Sequence, residues 1–393
     1  MQNVDAAGLG IGDDYPPRIM GVLNVSKESP YDPSVFDDAA EAAAYVDEDL
    51  IAEGADIVDV GLESANKRFE VLSAEEELDR LETAVETVRR VEGDAVFSIE
   101  TRYAEVADEA LSRGFDVVND ICGFADPEMA DVCESHDAAV VKMASPSDLE
   151  RPGAVEEVDW ESERSADWAA DATYADMVYE ALARGGLTDK TIVDPAFGGW
   201  SEAKTLADDR ETFRRLREFR GLGHPLLVSI NRKNFLGDLV GRDTDERLPC
   251  SLAATSMAVE RGAHVVRTHD VAETRDAALV GDAFAPERVR TPEVEQLDVT
   301  RAGEARRHLE HVGGNPARAS ECAACAFDVR TLPPEAAEDL HRAARTAGLV
   351  VEPTDGGAFV AGTERDVARL AAQLRRAREP LHTVGARLES AVK

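Results

Sequence analysis

Lysine is nearly absent from this chain of 393 residues. Only seven lysines occur, so arginine supplies 36 of the 43 basic residues, which face 79 acidic residues and leave a net charge of -36. Such a charge destabilises a compact fold by self-repulsion unless salt screens it, and the Debye length falls to about 3 Å in about molar salt. Acidic surplus and lysine scarcity along the whole chain therefore predict a halophilic protein, for which nucleic acid and anionic membranes are poor partners.

Long apolar runs, a leader sequence and a cysteine framework are also missing. No stretch approaches the roughly 18 apolar residues that a membrane-spanning helix needs. The first residues, MQNVDAAGLGIGDDYPP, lack the basic start and apolar centre of a secretory signal. The five cysteines are too few and too scattered for a disulfide scaffold. We therefore expect a cytoplasmic protein.

Eight short apolar runs alternate with helix-like segments over residues 19–267. They are rich in Val, Ile and Leu and do not alternate strictly, which is typical of strands buried on both faces. Eight units with polar residues at their ends favour a closed (β/α)8 TIM barrel over an open doubly wound sheet. The predicted strands are 19–25, 57–60, 95–99, 117–119, 138–143, 191–193, 225–229 and 264–267.

The clearest predicted helix covers residues 73–91, where Ser73 and Glu76 form a capping box before an apolar stripe. The barrel pattern stops near Pro286, so we predict a barrel over 1–290, a linker or edge strand over 291–300, and a small α/β domain over 301–393. Within the second domain, the predicted helices are 304–312, 334–347 and 363–377, and the predicted strands are 349–351 and 358–360.

Histidines and cysteines in the second domain occur at spacings that zinc sites use. They are His308 and His311, then Cys322 and Cys325. The two pairs could bind zinc. The first pair falls within a predicted helix and two alanines separate the cysteines, so packing is the default interpretation.

Polar residues follow nearly all of the predicted strands, where a (β/α)8 barrel carries its active site. Glu100, Asn119 and Asp194 follow three different strands and offer carboxylates and an amide that suit a pterin or guanine edge. Asp59 and Glu63, near the second strand, could hold a cation or a basic heterocycle. For Glu63 a buried structural carboxylate is an equally good interpretation.

Cations are placed at the last two strand ends. Lys233 follows the seventh strand, and Arg267 and His269 lie at the eighth, where a planar guanidinium suits phosphate. A flat heterocycle that carries a diphosphate would fit both the acidic and the basic residues. Transfer of its carbon arm to a nucleophile, with diphosphate leaving, is the reaction that this layout predicts.

Seven strings over residues 18–285 resemble dihydropteroate synthase of the pterin-binding barrel superfamily in order and spacing. They are IMGVLNV, GADIVDVGLES followed by SAEEEL, SIET, VVNDICG with DPEMA, VDPAFG, LGHPLLVSINRK and GAHVVRTHDV. The resemblance implies that p-aminobenzoate attacks the methylene of 6-hydroxymethyl-7,8-dihydropterin diphosphate, with Mg2+ assisting. It also implies a homodimer.

The resemblance implies roles for individual residues. Glu100, Asn119, Asp194 and Lys233 would contact the pterin. Arg267 would pack on the pterin and help to hold the diphosphate. The remaining implied contacts are His269 and Asn24 on the diphosphate, Asn24 near the metal, Asn231 and Arg232 towards p-aminobenzoate, and Met143 and Phe197 as apolar walls.

Departures from the family pattern fall mainly on the amine side. Glu100 replaces an aspartate, Ala144 replaces a histidine, and Ser64-Ala65-Asn66-Lys67 replaces Ser-Thr-Arg-Pro. Lys67 or Arg68 could replace the lost arginine. The first loop, residues 28–34, and the stretch from Gly198 to Lys204 also differ from the family.

Three alternatives stay open: a pterin-dependent methyltransferase, a non-catalytic pterin-binding protein, and a synthase that uses another aryl amine. The methyltransferase would not need Lys233, Arg267 and His269 for a diphosphate. Release of diphosphate discriminates the synthase from the methyltransferase and from the non-catalytic protein.

Overall fold

The computed structural model describes residues 1–25, 34–63, 71–146, 148–149, 172–198, 204–291 and 293–392. It divides into two compact units, Met1–Glu287 and Arg288–Lys393. No helix in these ranges is long and apolar enough to cross a membrane.

The first unit contains a small hairpin and eight parallel strands. The strands are β1 (Val4–Ala6), β2 (Leu9–Ile11), β3 (Arg18–Asn24), β4 (Ile57–Gly61), β5 (Val96–Thr101), β6 (Val117–Asp120), β7 (Ala139–Met143), β8 (Thr191–Asp194), β9 (Leu227–Val228) and β10 (Val265–Thr268). Strands β3 to β8 are neighbours in chain order, and β10 lies between β3 and β9. A parallel bridge between Val193 and Leu226 closes the ring. The predicted (β/α)8 barrel is confirmed.

Helices follow the strands along the barrel. They are α1 (Ala39–Tyr45), α2 (Ala74–Arg90), α3 (Ala104–Ser112), α4 (Met129–Ser135), α5 (Tyr174–Ala183), α6 (Leu206–Arg214), α7 (Asn234–Val240), α8 (Leu248–Glu260) and α9 (Val271–Ala283), with a π-helical segment at Val46–Ile51 and 3-10 turns at Leu216–Leu222 and Thr244–Glu246. The predicted capping box is present, because Ser73 Oγ accepts from the Glu76 amide and Glu76 accepts from the Ser73 amide.

One apolar layer fills the N-terminal part of the barrel interior. Every one of the eight strands contributes to it, and so does the hairpin: the layer contains Val4, Ala6, Ile11, Met20, Ile57, Val96, Val117, Ala139, Val141, Ile192, Leu227 and Val265. Two residues further along several strands, the inward positions become polar. The strand period of two therefore places the polar side chains at the C-terminal end of the barrel.

The N-terminal hairpin was not foreseen from the sequence. Ala7 and Gly8 form its two-residue turn, with φ of 50° and 89° respectively, as the tightest hairpins require. Next to the hairpin, Asp13 accepts two hydrogen bonds from Arg220, at 3.0 and 2.8 Å, and lies 2.9 Å from His264 Nε2. His264 Nδ1 accepts from a backbone amide, so Nε2 carries the proton and donates to Asp13.

The second unit is a three-stranded antiparallel sheet with helices. Its elements are α10 (Ala302–His311), β11 (Ala324–Val329), α11 (Pro334–Thr346), β12 (Val350–Thr354), β13 (Gly357–Thr363), α12 (Glu364–Leu374) and α13 (Leu381–Ala391), with a 3-10 turn at Pro316–Glu321. The central strand is β13. All three predicted helices and both predicted strands are present with shifted ends, whereas β11 and α13 were not predicted.

Neither the edge strand nor the zinc site is found among the described residues. Between the units, the described residues contain only an isolated bridge from Arg290 to Glu295, so 291–300 is a connection and not a strand. Across the described residues, no group of three or more His, Cys, Asp or Glu side chains lies where it could hold a metal ion. His308 and Cys325 therefore give no support to a zinc site.

The acidic surplus is confined to the barrel unit. Residues 288–393 hold 16 basic and 16 acidic residues, so the entire net charge of -36 lies in residues 1–287. The expectation that the surplus runs along the whole chain is wrong for the second unit. Any requirement for salt should accordingly originate in the barrel, because self-repulsion scales with net charge.

The charge division predicts a local response to salt. When KCl falls from about 3 M to about 0.2 M, the Debye length grows from about 2 Å to about 7 Å, and repulsion returns within the barrel. Amide hydrogen exchange of the intact chain, followed by mass spectrometry, should then accelerate in peptides from the barrel strands and stay unchanged in peptides from β13. Equal acceleration in both units, or none in the barrel, would contradict this account.

Candidate functional site

A fully buried carboxylate, Asp59, lies inside the barrel on β4. It accepts hydrogen bonds from Ser98 Oγ at 2.7 Å and from Asn119 Nδ2 at 2.9 Å. Arg267 Nε donates to the same carboxylate at 2.7 Å. A buried carboxylate is tolerated only when hydrogen bonds and an opposite charge replace its water. Asp59 therefore depends on side chains from β5, β6 and β10, and it fixes their positions in turn.

Arg267 links Asp59 to a second acid. Its Nη2 donates to Glu100 Oε2 at 2.7 Å, and the side chain remains 19% exposed. Burial opposes the charge of Arg267, but Asp59 and Glu100 outweigh burial and raise its pKa. Burial also raises the pKa of Glu100, against the opposing effect of Arg267. We call Asp59, Ser98, Asn119, Arg267 and Glu100 the Asp59 network.

The network leaves Asn119 in one orientation. A carboxylate can only accept, so the amide nitrogen of Asn119 faces Asp59 and its Oδ1 is left for another donor. Glu100 is directly paired with Asn119 across β5 and β6. Two hydrogen-bond acceptors from adjacent strands are therefore neighbours at the polar end of the barrel, and such a pair suits the N–H groups of a heterocycle.

Asp194 ends β8 and is buried. Its Oδ1 accepts from the Ala196 amide at 2.8 Å, which stabilises a tight turn in which Ala196 has a φ of 59°. Burial raises the pKa of Asp194 to about 6, although the Ala196 amide and the charge of Lys233 pull the pKa down. Asp194 is thus an acceptor that becomes neutral in mildly acidic solution.

Lys233 runs along the backbone of Gly198. A Cβ at Gly198 would lie 3.1 Å from Lys233 Nζ and 3.3 Å from its Cδ, and the φ of +119° at this position favours glycine. Burial, and then the charge of Arg267, lower the pKa of Lys233 to about 8. The ammonium therefore lies within the electrostatic reach of Asp194 and Arg267.

A buried ion pair supports the segment beneath Lys233. Lys204 Nζ lies 2.6 Å from Asp209 Oδ1 and donates to the Ala196 carbonyl at 2.6 Å. Asp209 also accepts from the Gly198 amide at 3.2 Å. Lys204 and Asp209 together hold residues 196–198 in place. Lys204 was noted from the sequence, but neither this role nor the contribution of Asp209 was predicted.

Asn24 ends β3 and presents an oxygen beside Gly61. Its Nδ2 donates to Ser34 Oγ at 3.0 Å. A Cβ at Gly61 would approach Asn24 Oδ1 to 2.9 Å, and the two residues are paired across β3 and β4. The missing side chain at Gly61 leaves room for the amide, whose Oδ1 is the atom that Asn24 could offer to a cation or its water.

His269 follows β10 as a neutral side chain. Burial, and then the charges of Arg267 and Lys233, lower the pKa of His269 to about 3. At neutral pH the ring therefore offers an N–H donor to an anion and adds no positive charge. The positive charge next to it comes from Arg267 and Lys233.

Asn231 and Arg232 are both bonded to Asp270. Arg232 donates from Nε to Asp270 Oδ2 and from Nη2 to Oδ1, each at 2.8 Å. Asn231 Nδ2 donates to Asp270 Oδ2 at 2.8 Å. Asn231 and Arg232 were assigned from the sequence to the p-aminobenzoate side. Asp270, which lies next to His269 after β10, was not singled out.

The two predicted apolar walls occupy different places. Met143 is buried and is paired with Asp194 across β7 and β8. Phe197 is 1% exposed and packs in the core, where its ring stacks on Phe235 at a centroid distance of 5.7 Å and contacts Phe213 at 6.1 Å. Phe197 therefore packs against α6 and α7, and its role as an apolar wall stays a prediction.

Glu63 is engaged in a structural ion pair. Arg102 donates to Glu63 at 2.6 Å and to the Leu149 carbonyl at 2.9 Å, and the Arg102 side chain is almost fully buried. Of the two interpretations for Glu63, this pairing favours the structural carboxylate. Lys67 and Arg68, the candidate replacement cations, lie outside the described residues, as do the departures at 28–33, 64–66 and 199–203.

Comparison with known proteins identifies the family. The profile described as "Pterin binding enzyme" matches residues 20–269. The chain belongs to this family. It therefore shares its barrel with enzymes that bind pterins, and the Asp59 network lies at the strand ends that the match covers.

Individual relatives agree with this assignment. A protein from Halobacterium salinarum, "Probable bifunctional folylpolyglutamate synthase/dihydropteroate synthase", is 35% identical over 67% of this chain and 31% of its own length. The chain thus spans about a third of that relative. The dihydropteroate synthase of Bacillus subtilis is 31% identical over 68% of this chain and 88% of its own length. A dihydropteroate synthase structure from Coxiella burnetii with pteroic acid has a TM-score of 0.57 and 27% identity, and the match covers 72% and 98% of the two chains.

For a pterin-binding enzyme, the site divides into acceptors and cations. Asn119 and Asp194 offer acceptor atoms, whereas Arg267 and Lys233 provide charge at the neighbouring strand ends. Acceptors suit the N–H groups of a flat heterocycle, and cations suit an anionic substituent. Sequence reasoning predicted these four residues as substrate contacts. It did not predict roles for Asp270 and Asp209, because each role becomes visible only with its bonding partner.

The elevated pKa of Asp194 predicts a pH dependence of pterin binding. Below about pH 6 the carboxyl takes up a proton in the ligand-free protein and loses acceptor capacity for pterin N–H groups. Calorimetric titration with 6-hydroxymethylpterin should show affinity falling as the pH drops from about 7 to about 5. Asp194→Asn should bind weakly at both pH values. If the affinity of the wild type is the same at both pH values, the ionised carboxylate of Asp194 does not contribute to pterin binding.

Proposed function

We propose that this chain is a dihydropteroate synthase, which joins 6-hydroxymethyl-7,8-dihydropterin diphosphate to p-aminobenzoate. In this reaction the bond between the pterin methylene carbon and the diphosphate oxygen breaks, and the amine nitrogen forms a bond to that carbon. The amine loses a proton, and diphosphate leaves. The observation that carries the proposal is the Asp59 network, which places acceptors for a pterin beside the guanidinium of Arg267, a cation for its diphosphate.

The cations would act on the leaving group. Negative charge accumulates on the bridging oxygen as the bond loosens, and fixed positive charge in a partly dry site stabilises it. Arg267 is held ready by Asp59 and Glu100, so it needs no reorganisation when the charge develops. Lys233 adds a second charge, and the neutral His269 ring adds an N–H donor.

Asp194 would stabilise the other half of the reaction. Positive character develops on the pterin and its methylene as diphosphate departs, and an ionised carboxylate nearby lowers the energy of that charge. Asn119 and Glu100 would help to orient the heterocycle so that its methylene faces the amine. The amine side is supported less directly, because Arg232 is bonded to Asp270. Another aryl amine therefore remains an outcome for the experiment to decide.

Magnesium fits this site only together with substrate. The described residues contain no cluster of three acidic, histidine or cysteine ligands, and Asn24 Oδ1 is a neutral oxygen. Mg2+ commonly keeps several waters and binds through few protein oxygens plus substrate phosphates. Asn24 would contact that ion or its water, and the ion would neutralise charge on the diphosphate. We also infer a cytoplasmic location, where the five cysteines would stay reduced.

A homodimer is part of the proposal. Five apolar side chains on α7, α8 and α9 are between 42% and 62% exposed: Leu239, Val240, Met257, Leu279 and Val280. Exposed apolar residues that gather on adjacent helices are typical of protein interfaces. A second copy that uses the same three helices would cover them by a two-fold contact.

Diphosphate release tests the function directly. Protein in about molar KCl with Mg2+ should release diphosphate from the dihydropterin diphosphate only when p-aminobenzoate is present. Lys233→Ala and Arg267→Ala should each lower kcat/KM by at least about 100-fold, since each removes charge from the leaving group. Asp79→Asn, an exposed substitution on α2, should leave the rate unchanged, and a chelator should lower it.

The negative outcomes are equally informative. Pterin binding without diphosphate release would contradict p-aminobenzoate as the acceptor and direct the search to other aryl amines. Release that is insensitive to Lys233→Ala and Arg267→Ala would remove the assigned roles. Methyl transfer from a pterin without diphosphate chemistry would identify the methyltransferase instead.

The dimer predicts a mass difference in solution. Sedimentation equilibrium should give twice the chain mass for the wild type and the single-chain mass for Met257→Glu/Leu279→Glu, because charges would replace apolar contacts. Val350→Glu, at a side chain that is 61% exposed in the second unit, serves as the control and should remain dimeric. A monomeric wild type, or a dimeric double variant, would exclude this interface.

A further inference from the structure

Asp270 stands at the start of a helix but does not cap it. It is the N-cap residue of α9, and its side chain makes no capping hydrogen bond. An aspartate at this position normally accepts from the second or third amide of the helix, which stabilises the helix by about 1 kcal/mol. Glu53 from another segment meets the Ala272 amide instead, at 3.3 Å. The carboxylate of Asp270 is therefore directed elsewhere.

The alternative partner is a residue in a strained conformation. Arg232 has a φ of +50°, in the left-handed region that a side chain with a Cβ rarely adopts. Asp270 receives two bonds from its guanidinium, both at 2.8 Å. A third guanidinium bond reaches the Asp245 carbonyl at 2.8 Å, and the Arg232 amide donates to Ser251 Oγ at 2.8 Å. Asp270 lacks the usual capping bond, and Arg232 has an unfavourable backbone conformation. The ion pair between these two residues accounts for both departures.

The ion pair joins the two segments that carry the cationic site. Lys233 directly follows Arg232, and its side chain passes over Gly198, which a Cβ would prevent. His269 directly precedes Asp270. The backbone conformation at Arg232 determines the direction of the Lys233 side chain. The bonds made by Asp270 likewise fix the direction of the His269 side chain.

We propose that Asp270 is a positioning residue for leaving-group stabilisation, which holds Arg232 in its left-handed turn and thereby aims Lys233 and His269 at the same anion. The inference rests on the proposed function, since the anion is the diphosphate of the substrate. It also assigns Arg232 to the clamp and not to the amine. Asp270 itself contacts no reacting atom in this scheme.

A charge-removing variant separates positioning from packing. Asp270→Asn keeps the size and one acceptor oxygen but loses the bidentate ion pair, so the Arg232 turn should relax. We expect kcat for diphosphate release to fall by about 10-fold to 100-fold, the usual cost of a small misplacement. Affinity for 6-hydroxymethylpterin should change by less than about 2-fold, because the Asp59 network is untouched. Asp276→Asn, an exposed aspartate on the same helix, is the matched control.

The environment of Lys233 provides a readout that needs no turnover. Its pKa is lowered to about 8 by burial and by Arg267, with Asp194, Lys204 and Asp209 as the other charges that act on it. Acetylation of Lys233, measured by mass spectrometry across pH, should show its midpoint rise in Asp270→Asn as the ammonium moves towards water. Asp276→Asn should keep the wild-type midpoint.

Two further variants keep the test decisive if Asp270→Asn unfolds. Asp270→Glu retains the charge and should recover most of the rate and the midpoint. Arg232→Met leaves Asp270 and its bond from Asn231 in place and removes only the ion pair, so it should reproduce the loss of rate and the shifted midpoint.

Folded Asp270→Asn with wild-type kcat and an unchanged Lys233 midpoint would overturn the proposal, and so would the same result in folded Arg232→Met. If the wild type releases no diphosphate, the proposed function fails on its own. The Lys233 midpoint then still decides whether Asp270 positions the lysine.

Discussion

The ion pair between Asp59 and Arg267 is the interaction on which the rest of the site depends. Asp59 has no exposed surface, so Arg267, Asn119 and Ser98 supply the hydrogen bonds and the opposite charge that water would otherwise provide. These partners come from three strands that only the closed barrel brings together. The same bonds hold the Arg267 guanidinium beside Glu100 and turn the oxygen of Asn119 away from Asp59. The fold thus pre-organises the residues that would bind the heterocycle and stabilise the departing charge.

Much of this layout could be predicted because it follows from strand periodicity and from the barrel rule. Buried parallel strands appear as apolar runs, and Glu100, Asn119, Asp194 and Arg267 follow those runs at the end where barrels carry function. Asp59 was predicted only to hold a cation or a basic heterocycle, because its bonds to Arg267, Asn119 and Ser98 become visible only in the folded barrel. Asp270 was missed because its role depends on Arg232, a residue 38 positions earlier in the chain, and only the fold brings the two together.

Other differences have equally specific causes. The hairpin at residues 4–11 lacks the Asn-Gly or Asp-Gly turn that announces such structures, so its Ala-Gly turn gave little warning. The contact of Phe197 with Phe235 joins residues 38 positions apart, and no local residue pattern encodes such a pairing. The second unit was recognised as α/β, but its balanced charge became visible only when the division at residues 287 and 288 was known. The acidic surplus belongs to the barrel, whereas the second unit has equal numbers of acidic and basic residues.

The most direct test of the central claim is calorimetric titration of 6-hydroxymethylpterin into Asp59→Asn, beside wild type and the Asp79→Asn control. Thermal unfolding should be followed in parallel to establish that each variant is folded. Loss of the Asp59 charge leaves Arg267 with one acidic partner and removes the constraint on Asn119. The account predicts that folded Asp59→Asn loses at least about 10-fold in pterin affinity while the control does not, since a buried charged partner is typically worth more than about 1.4 kcal/mol. Wild-type affinity in folded Asp59→Asn would contradict it.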